Sequence, residues 1–177
     1  IDEGFDFLGF NIKSYLTGNK KVVRTKPSKD SIKSFKDKVR QVFRVHRGGD
    51  IESLIDSLND LVIGIAYYWR ITSAKLTFNK MDWLIIHHIM LYLKRLYPKK
   101  SHKWIKAKHF KPHRDKKVKD KYLLTNPETG NQIKRMSWVH IKYARCIKYK
   151  ATPYKKEFNE YFERFKFKNN YECLYGN

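Results

Sequence analysis

Apolar residues first recur along this chain with a period of two. Phe5, Phe7 and, after Leu8 and Gly9, Phe10 open a strand-like segment, Phe5–Lys13. Thr17-Gly18-Asn19 reads as a turn, Lys21–Thr25 as the returning strand, and Pro27-Ser28 closes the hairpin. The period then lengthens to that of a helix. Ile32, Phe35, Val39, Val42 and Phe43 predict a helix from about Lys29 to His46, with Ser28 as N-cap and Arg47-Gly48-Gly49 at its end. Asp50 caps a second helix whose apolar face is Ile51, Leu54, Ile55, Leu58, Leu61, Val62 and Ile65. Gly64 interrupts that face at a cost of about 1 kcal/mol relative to alanine. Close approach of a neighbouring backbone is the expected reason for it. A third helix runs from about Phe78, after Thr77, to Tyr97, before Pro98. It is apolar over most of its circumference and is expected to be central. Burial of its large side chains, at about 1.5–3 kcal/mol each, would then stabilise a three-helix bundle.

Beyond the bundle, Ser101 caps a short helix ending near His109, and the charged stretch Lys111–Lys121 reads as a loop. Tyr122–Thr125 and Gln132–Trp138 flank Asn126-Pro127-Glu128-Thr129-Gly130-Asn131 as a second β-hairpin. A last helix is expected from Pro153 to about Phe167. The fold class is therefore mainly α with small β-hairpins: a three-helix bundle followed by a small α+β basic module, with the border in Lys111–Lys121.

Composition narrows the function classes. Hydrophobic residues make up 41% and aromatics 15%, too much for a disordered polycation. The longest apolar run, Trp83–Leu93, is broken by His87 and His88 and reads as a buried helix, so no membrane partner is expected. Cys146 and Cys173 match no zinc or redox spacing and read as separate thiols of a reducing, intracellular compartment. The start at Ile1 suggests a piece of a longer chain, without a signal peptide.

Charge changes the picture most. Thirty-nine Lys and Arg against seventeen Asp and Glu give a net charge of +22. The excess is segregated: residues 28–49 carry seven basic and two acidic groups, 50–71 one and four, and 99–122 eleven and two. In the first helix Lys29, Lys33, Lys36, Arg40, Arg44 and Arg47 fall within a stripe roughly 80° wide at 100° per residue. Such a row repels itself unless a polyanion neutralises it, which makes nucleic acid the first candidate partner. Lys99, Lys100, Lys103, Lys106, Lys108, Lys111, Arg114, Lys116 and Lys117 form a second basic set, and Lys134 and Arg135 extend it. Tyr67, Tyr68, Trp69 and Arg70 end the second helix, where they either stack on unpaired bases or pack internally. Trp104 and Phe110 are assigned to the core. Asp56 and Asp60 form an acidic face that calls for a cationic neighbour. His87 and His88 lie 100° apart on a helix, and His109 and His113, although spaced i, i+4, have lysines around them. Neither pair predicts a metal site.

Several blocks resemble, in order, the C-terminal part of group II intron-encoded reverse transcriptases, or maturases. Gly4-Phe5-Asp6-Phe7-Leu8-Gly9-Phe10-Asn11-Ile12 is similar to the last block of the polymerase domain. Leu58-Asn59-Asp60-Leu61-Val62-Ile63-Gly64-Ile65-Ala66-Tyr67-Tyr68-Trp69-Arg70 resembles the family pattern Leu-Asn-Pro-x-x-Arg-Gly-Trp-x-Asn-Tyr-x-Arg at Leu58, Asn59, Gly64, Tyr68 and Arg70, and departs from it at Ile63, Ile65 and Tyr67. Pro98-Lys99-Lys100-Ser101, Trp104-Ile105 and Lys108-His109-Phe110 are similar to the end of the thumb, or X, domain. Thr152-Pro153-Tyr154, Tyr161-Phe162 and Arg164 resemble the D domain that follows.

The resemblance implies three parts: residues 1–27 as the end of the reverse transcriptase palm region, 28–110 as the thumb/X maturase domain, and 111–177 as a D-like DNA-binding domain. It implies intron RNA, an RNA/DNA template–primer duplex and target DNA as partners, in support of splicing and intron mobility. A bacterial cytoplasm or nucleoid, or an organelle, is the compartment that goes with it. The Tyr-x-Asp-Asp motif that would hold Mg²⁺ for polymerisation is missing from these residues, as is the paired-cysteine endonuclease pattern. No cofactor is therefore expected in this segment, and Mg²⁺ belongs to the parent polymerase and the intron RNA. Two other readings stay open: a freestanding helix-turn-helix-like DNA-binding module built on the first two helices, and a homing-nuclease fragment, for which metal ligands are not found.

Overall fold

The computed structural model describes residues 2–48, 50–116, 118–143, 151–152 and 154–163. The chain forms two compact units, residues 1–143 and 144–177. The first begins with an antiparallel meander of β1 (Phe5–Phe7), β2 (Phe10–Thr17) and β3 (Lys20–Pro27), in the order β1-β2-β3. The single strand expected over Phe5–Lys13 is two strands. Phe7 pairs with Phe10 across a two-residue turn at Leu8-Gly9, and both turn residues have positive φ, 46° and 76°. That combination matches the twist of a hairpin. Thr17 pairs with Lys20 across Gly18-Asn19, so the second turn falls where the glycine predicts it.

Four helices follow: α1 (Lys29–Val45), α2 (Ile51–Trp69), α3 (Lys75–Leu96) and α4 (His102–His109). The expected caps form. Ser28 accepts from the Ser31 N–H, Asp50 from that of Glu52 and Ser101 from that of Trp104. The third helix starts a turn before its expected cap, so that Thr77 lies inside it. Ala74 and Phe78 are both fully buried, and packing sets the start there without a side-chain cap. The core is Phe35 and Val39 of α1, Leu54, Ile55, Leu58, Val62, Ala66 and Trp69 of α2, and Phe78, Met81, Ile85, Ile89 and Leu93 of α3. The third helix is not the enclosed one, since its Leu76, Trp83 and Leu91 are exposed. Gly64 faces open space, with no neighbour within 4 Å of where a Cβ would stand, so close approach is not its role.

The second hairpin is replaced by a different arrangement. β4 (Phe110–Lys111) pairs antiparallel with β5 (Leu123–Leu124), and the expected arms share only the bridge Thr125–Gln132. The second arm is drawn onto the bundle. Asn59 of α2 takes the Lys134 N–H at 2.7 Å and donates to the Gln132 carbonyl. Asp82 of α3 accepts from the N–H groups of Met136 and Ser137 at 2.8 and 3.0 Å, holding a 3-10 turn at Met136–Trp138. Residues 111–143 thus pack within the first compact unit, whose border falls beyond the Lys111–Lys121 loop. In the second unit a 3-10 turn at Lys156–Phe158 leads into helical residues 159–163. Cys146, Pro153, Arg164, Phe167 and Cys173 lie outside the described residues.

Candidate functional site

The first turn of the meander sets where α1 begins. The Gly9 carbonyl accepts from the Ser28 N–H and the Ser31 hydroxyl, at 2.9 and 2.8 Å. A Cβ on Gly9 would come within 2.6 Å of that hydroxyl, and its φ of +76° adds a second reason for glycine. The Tyr68 hydroxyl donates to the Leu8 carbonyl at 2.7 Å, and its ring lies 4.9 Å from that of Phe10. Of the aromatic group ending α2, Trp69 is core, Tyr68 holds the turn, and Tyr67 lies under the Arg70 guanidinium at 4.5 Å. These roles are internal, although half of the Tyr67 and Tyr68 surface faces solvent.

With its apolar face in the core, α1 presents the cationic stripe outward. Lys29, Lys33, Arg40, Arg44 and Arg47 are exposed and Lys36 is half-buried. Only Arg40 has a carboxylate partner among the described residues, Asp37 at 2.6 Å. An exposed pair of this kind contributes about 0–1 kcal/mol and leaves the field of the stripe intact.

The C-terminal half of the stripe borders a cleft of about 370 Å³ between α1 and α3. Arg40, Arg44 and Arg47 stand on one side and His88 and Arg95 on the other, over a wall of Phe43, Leu91, Tyr92 and Leu96. The Phe43 ring lies 5.6 Å from that of His88 and 5.9 Å from that of Tyr92. Burial first, then the Arg40 guanidinium and the His87 ring, hold His88 below the usual histidine pKa, so the ring is neutral at pH 7. Sequence reasoning found the α1 arginines but missed His88 and Arg95. Arg95 carried a weak signal as a cation in the last turn of a helix. Nothing local shows that it faces α1.

The second basic set is dispersed. Lys99, Lys100, Lys103, Lys106 and Lys108 are exposed on and before α4, and Lys111 is exposed on β4. Trp104, expected in the core, is 36% exposed, with the Lys100 and Lys108 ammonium groups 5.3 and 5.1 Å from its ring and Tyr97 beside it. Phe110 is half-buried against the core. The Arg114 guanidinium donates to the Gly130 carbonyl at 2.8 Å. Lys116 and Lys134 are exposed, and Lys117 lies outside the described residues. Arg135 is spent internally: it bonds Asp120 at 2.7 Å and the Tyr122 carbonyl at 3.1 Å, while Asp120 also takes the Trp138 indole N–H.

The acidic face has a use other than the expected cation. Glu52 accepts from Asn126, Thr129 and Asn131, and Asp56 from Asn131 at 2.8 Å, so neutral side chains of the 126–131 turn bond the acidic start of α2. Asp60 is exposed. His109 is fully buried beside Tyr97, its pKa lowered by burial and then by Lys108, and neither ring nitrogen has a hydrogen-bond partner among the described residues. His113 packs on Trp138 and accepts from the Asp115 N–H. No group of three or more His, Cys, Asp or Glu side chains converges as a metal site would need among the described residues. No helix among them is long and apolar enough to cross a membrane.

A helical bundle with one strongly cationic helix edge, closed by a short α4 and β4, is the setting of the family match. Residues 32–110 match the family model of the group II intron, maturase-specific domain. This stretch, from the first turns of α1 to β4, is thus similar to a group II intron maturase-specific domain, and the similarity implies a maturase function in splicing. No curated protein matches the chain.

Proposed function

We propose that the chain is the C-terminal portion of a group II intron reverse transcriptase/maturase. In this reading it binds intron RNA and the template–primer duplex through the α1 edge, and its basic C-terminal part engages target DNA. The parts correspond to the end of the palm region over 1–27, the thumb/X domain over 28–110 and a D-like domain over 111–177. The observation that carries the reading is the row of Lys29, Lys33, Lys36, Arg40, Arg44 and Arg47, mounted on a packed core and, Arg40 apart, without carboxylate partners among the described residues. An A-form duplex offers phosphates and 2′-hydroxyls along a shallow minor groove, and a cationic helix edge suits that shape. Binding the spliceable fold of the intron more tightly than misfolded forms stabilises that fold by mass action.

The helix-turn-helix alternative would send the N-terminal residues of α2 to base edges. The charged groups there are the cap Asp50 and Glu52 and Asp56 of α2, and the last two accept hydrogen bonds from side chains of the 126–131 turn. An acidic helix start is a poor major-groove reader.

The test is competition binding among a group II intron RNA from the chain's own locus, an unrelated structured RNA and duplex DNA. The intron RNA is expected to win. Its affinity is expected to fall ~10³–10⁵-fold between 50 and 200 mM salt if about 6–10 phosphates are contacted. A flat salt response, or preference for duplex DNA, defeats the proposal.

A further inference from the structure

Lysine outnumbers arginine 29 to 10 in this chain, yet four of the ten arginines, Arg40, Arg44, Arg47 and Arg95, border the cleft between α1 and α3. Guanidinium forks bind phosphate oxygens in pairs, which lysine ammonium groups do not. Arg44, Arg47 and Arg95 have no carboxylate partner among the described residues, and the Arg40–Asp37 pair is solvent-exposed. The cleft's wall is of the opposite character, formed by the exposed Leu91 and the half-buried Phe43 and Leu96 beside the neutral His88, while Tyr92 is buried with its hydroxyl donating to the His46 carbonyl at 2.9 Å. A duplex backbone resting on the outer ridge of α1 would meet the arginines and make no use of the exposed Leu91 or the half-buried Phe43. A nucleotide with its base turned out of the helix presents both an anionic phosphate and an apolar ring face. The volume of about 370 Å³ lies within the range of small-ligand clefts, roughly 300–1,000 Å³.

We infer that the α1–α3 cleft is a pocket for a single unpaired RNA nucleotide, with its phosphate among the guanidinium groups of Arg44, Arg47 and Arg95 and its base against Phe43 and Leu91. This rests on the RNA-binding reading above and makes it specific. Among the described residues, every charged group lining the cleft with His88 is cationic: Arg40 and Arg44 from α1, Arg47 from the turn after it and Arg95 from its own helix. A phosphate seated there would offset that field, so occupancy favours proton uptake by His88.

The experiment compares two fluorescein-labelled RNA hairpins, one with a single bulged adenosine and one fully paired, binding to the 177-residue chain by anisotropy. Arg44→Lys with Arg95→Lys keeps the net charge and removes the forks, and thermal unfolding of the double variant checks that it folds. The unmodified chain is expected to prefer the bulged hairpin by about tenfold, from one stacked base and its charge-assisted bonds. The double variant is expected to lose that preference while holding the paired hairpin within about twofold, since only the forks differ. Equal affinity of the unmodified chain for both hairpins, or equal losses on both in the variant, overturns the pocket and leaves general RNA binding standing. Absence of salt-dependent binding to either hairpin overturns the underlying reading as well.

Discussion

The start of α2 and the outer edge of α1 both carry charged side chains and treat them in opposite ways. At α2, Glu52 and Asp56 are met by Asn126, Thr129 and Asn131, and Asn59 exchanges two hydrogen bonds with the 132–134 backbone. Asp82 of α3 completes the pattern on the two N–H groups of the 3-10 turn. Each acceptor is matched to a donor from a distant part of the chain. At α1, six cations share one edge and only Arg40 finds a carboxylate among the described residues. Polar groups satisfied internally fix the fold, and like charges left facing solvent are available to an anionic partner.

The sharpest way to break this contrast is at Asp82. Asp82→Ala would leave the buried Met136 N–H and the half-buried Ser137 N–H without this acceptor, at ~1–3 kcal/mol for a buried group and less for the other. A loss of about 2–4 kcal/mol in urea unfolding is expected. RNA affinity of the folded variant should stay near that of the unmodified chain. A variant of unchanged stability would show that the 3-10 turn is not held by this carboxylate.

The reverse experiment removes charge where nothing inside the fold depends on it. Lys29→Glu with Lys33→Glu lies outside the cleft and is expected to weaken bulged and paired hairpins alike, by about tenfold, through lost phosphate contacts. Its unfolding midpoint is expected to stay within the scatter of surface substitutions. Destabilisation instead of lost affinity would mean that the stripe belongs to the fold.

The smallest effect is a pH dependence. Hydrogen bonds from Thr129, then Asn126 and Asn131, hold the Glu52 carboxyl below the ordinary glutamate value of 4.5. A lowered pKa means that this contribution is present above 4.5 and lost as pH falls through the folded-state value. Glu52→Gln should melt below the unmodified chain at neutral pH, with the two midpoints converging on acidification. Parallel curves would show that the 126–131 turn does not depend on the charge.

Much of the bundle was legible because local rules decide it. Ser28, Asp50 and Ser101 cap where side-chain chemistry says they should, and the 3.6 period of α1 and α2 matches their buried faces. Two readings failed where packing overrides local preference. Thr77 looks like a cap but lies inside α3, because Ala74 and Phe78 bury together one turn earlier. Gln132–Trp138 looks like a hairpin arm but is taken by Asn59 and Asp82, more than fifty residues away. The α1 half of the cleft was visible as a charge stripe. Its α3 half was not, because Arg95 and His88 carry no periodic or motif signal that ties them to a particular partner helix.

The sequence alone determined that this chain forms capped amphipathic helices with a strongly cationic edge, since periodicity, caps and charge spacing act over a few residues. Only the tertiary structure decided which charges are paired within the fold. Arg135 is neutralised by Asp120, whereas Arg44, Arg47 and Arg95 line one cleft and have no carboxylate partner among the described residues. That division depends on which surfaces the packed core brings together, and Coulomb and hydrogen-bond energies act on distances in space, which sequence separation does not give.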